Sequence, residues 1–348
     1  MMPAKMISVF ILLSAVAACQ GCGGPSSIAV QDRLPSISPV WPSPPGKPRI
    51  RHLYSISKAD DVGVAPSLFQ KVGSFLTGAE QSRRMTRPHG LFFGADEVLC
   101  IADPGSGSVH LFDTKNRRYQ EITKYGKTQL LSPIGVVKDD AGLLYVSDSM
   151  LRKVFVFGSK GEPIREIGGA EWFARPTGLA VSNSLKRLYV TDTADHCIKV
   201  FDLEGHFLFS FGKRGTDKGE FNFPASIVID GNGDLYINDS LNYRIQVFNA
   251  DGGFIRLFGR HGDGMGEFSS PKGVALDTEG DIYVADAIFD SVQVFDKQGN
   301  LLLFFGETGQ GPGELWIPSA LFIDRKNRIF VSDSYNQRVQ VFQFLGGQ

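Results

Sequence analysis

Six prolines, Pro88, Pro133, Pro176, Pro224, Pro271 and Pro318, recur at intervals of 43 to 48 residues. Each is followed 15 or 16 residues later by an aspartate: Asp103, Asp148, Asp192, Asp239, Asp286 and Asp333. A phenylalanine stands nine residues beyond each of these, at Phe112, Phe157, Phe201, Phe248, Phe295 and Phe342. A three-point register held through six copies makes the chain an array of equivalent units. The fifth copy shows what one unit contains. Pro271 to Asp277 reads as a first strand, 278–280 as a turn and Asp281 to Asp286 as a second strand. Ser291 to Phe295 is a third, with period-two alternation, and Leu301 to Phe305 a fourth. Four short antiparallel strands per copy predict an all-β fold, a six-bladed β-propeller of four-stranded antiparallel blades, which protects its strand edges by radial closure. The 40 glycines and 27 phenylalanines suit such a turn-rich, tightly packed β structure.

The motifs resemble the NHL repeat family. The resemblance rests on the proline-led first strand, the run Tyr236-Ile237-Asn238-Asp239, the segment from Asn242 to Phe248, and a glycine loop, Gly259, Gly262 and Gly266-Glu267-Phe268. That loop recurs as Gly212, Gly215 and Gly219-Glu220-Phe221, and as Gly306, Gly309 and Gly313-Glu314-Leu315. It is shortened after the first two repeats, to Tyr125 through Ser132 and Gly168 through Arg175. The resemblance covers residues 87–348 and implies the same six-bladed fold. The sixth copy ends after its third strand, so Arg49-Ile50-Arg51-His52-Leu53-Tyr54-Ser55-Ile56 is expected to supply the missing fourth, a closing strand over 49–57. Leu68, Phe69, Val72, Phe75 and Leu76 fall at helical spacing and predict a short amphipathic insert at 66–77, packed on the propeller.

Ahead of the repeats, Lys5 and an apolar run from Met6 to Ala18 read as a secretory signal over 1–18, too short to span a bilayer core. Its ending, Val16-Ala17-Ala18-Cys19, resembles the lipobox of bacterial lipoproteins, which implies lipidation of Cys19 and attachment to a membrane at the cell envelope. Residues 19–48 are a proline-rich linker of polyproline II character, and 23–47 are expected to be dispensable for folding of the domain at 49–348. The 36 basic and 37 acidic side chains nearly cancel, so no global field would hold a nucleic acid, and none is expected as a partner.

No G-x-S-x-G elbow, P-loop or H-E-x-x-H motif occurs. Each repeated aspartate stands where a second strand turns into the third, and is expected to bond backbone amides there rather than to bind metal. Asp239 and Asp333 are also expected to reach Arg244 and Arg338. One branch of the NHL family, the peptidyl-amidoglycolate lyases, holds zinc with several blade histidines. Here only His196 resembles such a position, and one imidazole does not make a three-ligand site. No metal, cofactor or catalytic residue is therefore assigned. Cys100 and Cys197 are expected to be unpaired thiols. In an up-and-down blade, the turn after strand two and the crossover leaving strand four share one face. Met150, Arg152, His196, Tyr243, Phe289 and Tyr335 on the turns, with Arg214 and Arg260 on the crossovers, are the candidate binding residues. The expected function is a monomeric, lipid-anchored, non-enzymatic scaffold that binds a protein, peptide or glycan at the envelope. The alternative is a metal-dependent lyase or hydrolase working in the central channel.

Overall fold

A computed structural model describes residues 38–64 and 84–346. The expected signal segment at 1–18, Cys19 and the expected insert at 66–77 lie outside the described residues. Five blades are four-stranded antiparallel sheets in simple up-and-down order. Blade 4 is representative: Pro224–Ile229, Leu235–Asp239, Arg244–Phe248 and Phe254–Phe258, from channel to rim. In every blade the second and third strands are almost wholly buried, because both of their faces pack against neighbouring blades, whereas the fourth strand alternates in and out of solvent.

Burial is divided into six cores, each lying between two adjacent blades. Between blades 4 and 5, for example, Tyr236, Ile245 and Val247 meet Ile282, Val284 and Phe295. The six register phenylalanines are all buried in these cores. A second apolar register was also written in the sequence. Three residues before each blade-opening proline stand Met85, Leu130, Phe173, Phe221, Phe268 and Leu315, all buried as plugs beneath the crossovers. Where the first glycine loop is shortened, its place is taken by a small hairpin, Lys124–Tyr125 paired with Thr128–Gln129.

The first strands line the axis and approach one another closely. A Cβ on Gly90 would lie 2.3 Å from the Ile134 carbonyl oxygen, and one on Gly135 would lie 2.2 Å from that of Thr177. Only a residue without a side chain permits this spacing. Polar side chains at or just after the end of the second strand then stitch blades 2, 3, 4 and 6 to the next. Asn238 donates to the carbonyls of Pro271 and Lys272, Ser240 to Pro271, and Ser334 to Pro88, the last joining the final blade to the first.

Ring closure is as the sequence implied. Ile50–Ile56 lies antiparallel to Arg338–Phe344, with Ile50 opposite Phe344 and Ile56 opposite Val339. Ile50 enters the core between blades 5 and 6, and Ile56 the core between blades 6 and 1. The ordered fold starts earlier than residue 49, however. Val40–Trp41 adds a fifth strand outside Ile50–Arg51, and the Trp41 ring packs 5.9 Å from Phe305 and 5.8 Å from Phe342. Residues 40–41 are therefore part of blade 6, so the linker expected over 19–48 includes a strand of the propeller.

Trp41→Ala should lower stability by about 2 kcal/mol, the scale for a partly buried aromatic. Removing Ile50–Ile56 as well should abolish cooperative unfolding, because two fully buried isoleucines at roughly 1.5 to 3 kcal/mol each go with a whole strand ladder. Urea unfolding followed by circular dichroism measures both.

Candidate functional site

The six aspartates are completely buried and act as acceptors for loop backbone. Asp148 accepts from the amides of Leu131 at 2.8 Å and Ser132 at 3.2 Å in the incoming crossover. It also accepts from Met150 at 3.1 Å and Leu151 at 3.0 Å in its own turn. Asp286 does the same with Ser269, Ser270 and Ile288, and Asp103 with Thr86, Arg87 and Gly105. Asp239 and Asp333 add the predicted ion pairs, to Arg244 at 2.8 Å and Arg338 at 2.7 Å. Lys199 pairs with Asp192 at 2.9 Å, and His110 lies 3.3 Å from Asp103. Carboxylates so fully committed are structural fasteners. Among the described residues no group of three or more His, Cys, Asp or Glu is arranged to hold a metal ion.

The fourth residue after each aspartate closes the turn in the left-handed region, with φ of 48° to 64° at Gly107, Arg152, His196, Tyr243, Asp290 and Gln337. His196 is buried, and its Nδ1 accepts the Phe223 amide at 3.1 Å. Asp290 likewise accepts the Ile317 amide at 2.7 Å. Phe223 and Ile317 carry φ of 54° and 53°, a conformation rare for bulky side chains, and these side-chain acceptors from the preceding blade hold them there. His196 thus serves as a clasp between blades, which places it away from solvent and from any ligand on the face. Cys100 and Cys197 are free and buried, and burial raises both thiols to about 12.

The face itself is built by a different register position. Two residues after the aspartate, the side chain points outward: Met150 is 67% exposed, Ile288 65%, Tyr335 48% and Leu241 47%. The corresponding residues in blades 1 and 3 are the small Gly105 and Ala194. Trp316 is also exposed and packs 5.6 Å from Tyr335, over whose ring Arg87 lies at 5.5 Å. Of the apolar residues proposed from the sequence, Met150 and Tyr335 belong to this rim. Tyr243 and Phe289 are half-buried, Tyr243 against His261 at 4.2 Å between ring centroids. Leu241 and Ile288 take their place. Arg152 and Arg214 are exposed, and Arg260 is exposed but paired with Glu267 at 2.8 Å.

Inside the rim, the first strands enclose a channel of about 790 Å³, with His89, Ile134, Gly178, Ala225, Lys272 and Ala320 among its lining residues. The end beyond the first strands carries Asp96, Glu97, Asp140, Arg325 and Lys326. His89 is held to about 4 by burial and by the nearby Lys272 and Arg175 charges, and burial also lowers Lys272.

Comparisons with known proteins agree with this architecture. A family described as a 6-bladed beta-propeller matches residues 231–292 and 276–348, and the NHL repeat matches residues 173–201. The protein brain tumor of Drosophila melanogaster is 34% identical over 133 residues, 37% of this chain and 13% of that protein. Human NHL repeat-containing protein 2 is 27% identical over 170 residues, 37% of this chain and 23% of that protein. The chain thus spans less than a quarter of the length of these relatives. A streptogramin B lyase structure superposes with a TM-score of 0.58 at 11% identity, over 75% of this chain and 95% of that one. A Bacteroides thetaiotaomicron structure described as an auxiliary nutrient binding protein gives 0.59 at 12% identity, over 74% and 69%. These likenesses establish the fold alone: a six-bladed propeller carrying NHL repeats.

Asp286→Ala should destabilise the protein by about 3 kcal/mol, since several buried amides lose their acceptor at roughly 1 kcal/mol or more each. Thermal melting monitored by near-ultraviolet circular dichroism reads this loss. His52 and His89 are both held neutral, near 4, below the ordinary value of 6.5. Their unfolded forms bind protons first, so the stability they contribute is complete above pH 6.5 and declines as pH falls toward 4. Urea midpoints measured across that window should fall, and the double variant His52→Gln, His89→Gln should flatten the slope.

Proposed function

We propose that this propeller is a lipid-anchored, non-enzymatic recognition module of the bacterial envelope, binding a protein or peptide across the face that carries the rim. One observation carries the reading. At a single register position, two residues after each fastening aspartate, four blades expose a large apolar side chain around an open channel. A water-exposed apolar side chain contributes nothing to the blade that carries it, whereas a set of them on rigidly bonded turns suits a partner that buries them. Methionine, leucine and isoleucine present flexible aliphatic surface, which favours peptide side chains over sugar rings as the occupant. The aspartates that a catalytic reading would need are taken up by backbone amides and neighbouring side chains, and His196 is spent as a clasp. The lipobox-like sequence ending in Cys19 supplies the anchor, and the proline-rich segment that follows would hold the face away from the membrane.

Two experiments test this reading. The protein from Ser38 onward, immobilised and exposed to envelope extract, should retain a partner that the variant Met150→Ser, Leu241→Ser, Ile288→Ser, Tyr335→Ser loses by at least about tenfold, with unchanged melting. Equal retention by both would refute the assignment of the face. Separately, Cys19→Ser should abolish metabolic palmitate labelling and move the protein to the soluble fraction. Labelling that survives the substitution would refute the anchor.

A further inference from the structure

Three basic side chains from alternate blades stand at the end of the first strands where the channel opens onto the rim. His89 and Lys272 each follow the blade-opening proline, in blades 1 and 5, and both line the channel. Arg175 precedes the proline of blade 3, on the same side, and its charge acts on both of them. Lys272 is half-buried, and neither its ammonium nor the Arg175 guanidinium makes a side-chain hydrogen bond or ion pair among the described residues. The carboxylate that acts on Lys272, Asp286, is already bonded by the amides of Ser269, Ser270, Ile288 and Phe289. The Nδ1 atom of His89 is buried without a partner. A buried polar atom and a half-desolvated ammonium without counter-ions are each unfavourable, and a single anionic group at the mouth would satisfy both.

We propose that this mouth is a carboxylate site, in which Arg175 and Lys272 hold the free C-terminal carboxylate of a peptide lying on the apolar rim, with His89 completing the contact. The proposal rests on the reading of the rim as a binding face and adds the chemical group that orients the ligand. A planar carboxylate fits the guanidinium fork of Arg175 and the point charge of Lys272. The apolar walls of the channel and the surrounding Met150, Leu241, Ile288 and Trp316 favour a group flanked by aliphatic side chains over a strongly hydrated phosphate. A bound carboxylate would also offset the two positive charges that, with burial, keep His89 neutral. The imidazole, which otherwise faces the Ile134 carbonyl, then gains a proton on binding.

The chain has six histidines, so the His89 ring signals are assignable in nuclear magnetic resonance spectra by their loss in His89→Gln. The protein is titrated with acetate, with N-acetylated trileucine as the free acid and as the carboxamide, and with inorganic phosphate. Acetate and the peptide acid should both move the His89 signals and raise its titration midpoint by about one pH unit, while the carboxamide should leave them unmoved. The peptide acid should saturate at about tenfold lower concentration than acetate, reflecting the rim. Lys272→Met, which removes the charge and relieves its desolvation, and the exposed Arg175→Gln should each weaken the response about tenfold without lowering the melting temperature. Equal responses to acid and carboxamide, no response to either carboxylate, or a full response in both charge variants would overturn the site. A response to phosphate alone would overturn the choice of carboxylate. Peptide acid no tighter than acetate would overturn a peptide terminus as its source. The four-serine rim variant should keep its acetate response, so failure of the rim reading is distinguishable from failure of the carboxylate site.

Discussion

The buried aspartate at the end of each second strand is the contact on which the rest of the molecule depends. A crossover must carry the chain from the rim of one blade to the axis of the next, leaving backbone amides that no strand ladder can pair. A carboxylate already fixed in a strand accepts them, one or two from the incoming crossover and up to two from its own turn. Charge-assisted bonds of this kind are short and strong, and the amide dipoles compensate the burial of the charge. Where an amide falls outside the reach of the carboxylate, a neighbour compensates: His196 and Asp290 take the Phe223 and Ile317 amides. The cations vary from Arg244 and Arg338 to Lys199 or none, so the amide bonds rather than the ion pairs are the constant element.

From this fastening follow both the rigidity of the face and its freedom to vary. The side chains that touch neighbouring blades, glycine at the axis and an apolar plug beneath each crossover, are fixed by close approach and packing. Those two residues after the aspartate point outward, and differ from glycine and alanine to methionine, leucine, isoleucine and tyrosine. A scaffold of this kind separates, by register position, the residues that hold the fold from those free to vary.

Much of this was legible in the sequence, because period-two alternation and a fixed repeat translate directly into strands and blades. The strand bounds, the closing strand, the role of the aspartates and the free thiols all follow from pattern and topology. The extension of blade 6 to Val40–Trp41 was hidden by its prolines, which suggest a tether although one tryptophan against Phe305 and Phe342 suffices to seat it. Aromatic character singles out Tyr243 and Phe289, whereas the turn geometry exposes Leu241 and Ile288. Once the turn closes in a left-handed residue four places after the aspartate, the outward position is the second, and that phase is not written in composition. The basic mouth was invisible for a different reason. His89, Arg175 and Lys272 are distant in sequence and occupy two different register positions, so only closure of the ring places them at one end of the first strands.

If aspartate fastening makes the face rigid, the amides it binds must be protected from solvent exchange although they lie in loops. Native-state hydrogen exchange resolved at Arg87, Leu131, Ser132, Ala174, Arg175, Asn222, Ser269, Ser270 and Trp316 measures this directly. Protection comparable with the buried second-strand amides of the same blades is the expected result. Exchange at the rates of ordinary exposed loops would contradict it, and with it the view that these carboxylates hold the loops of this face in place.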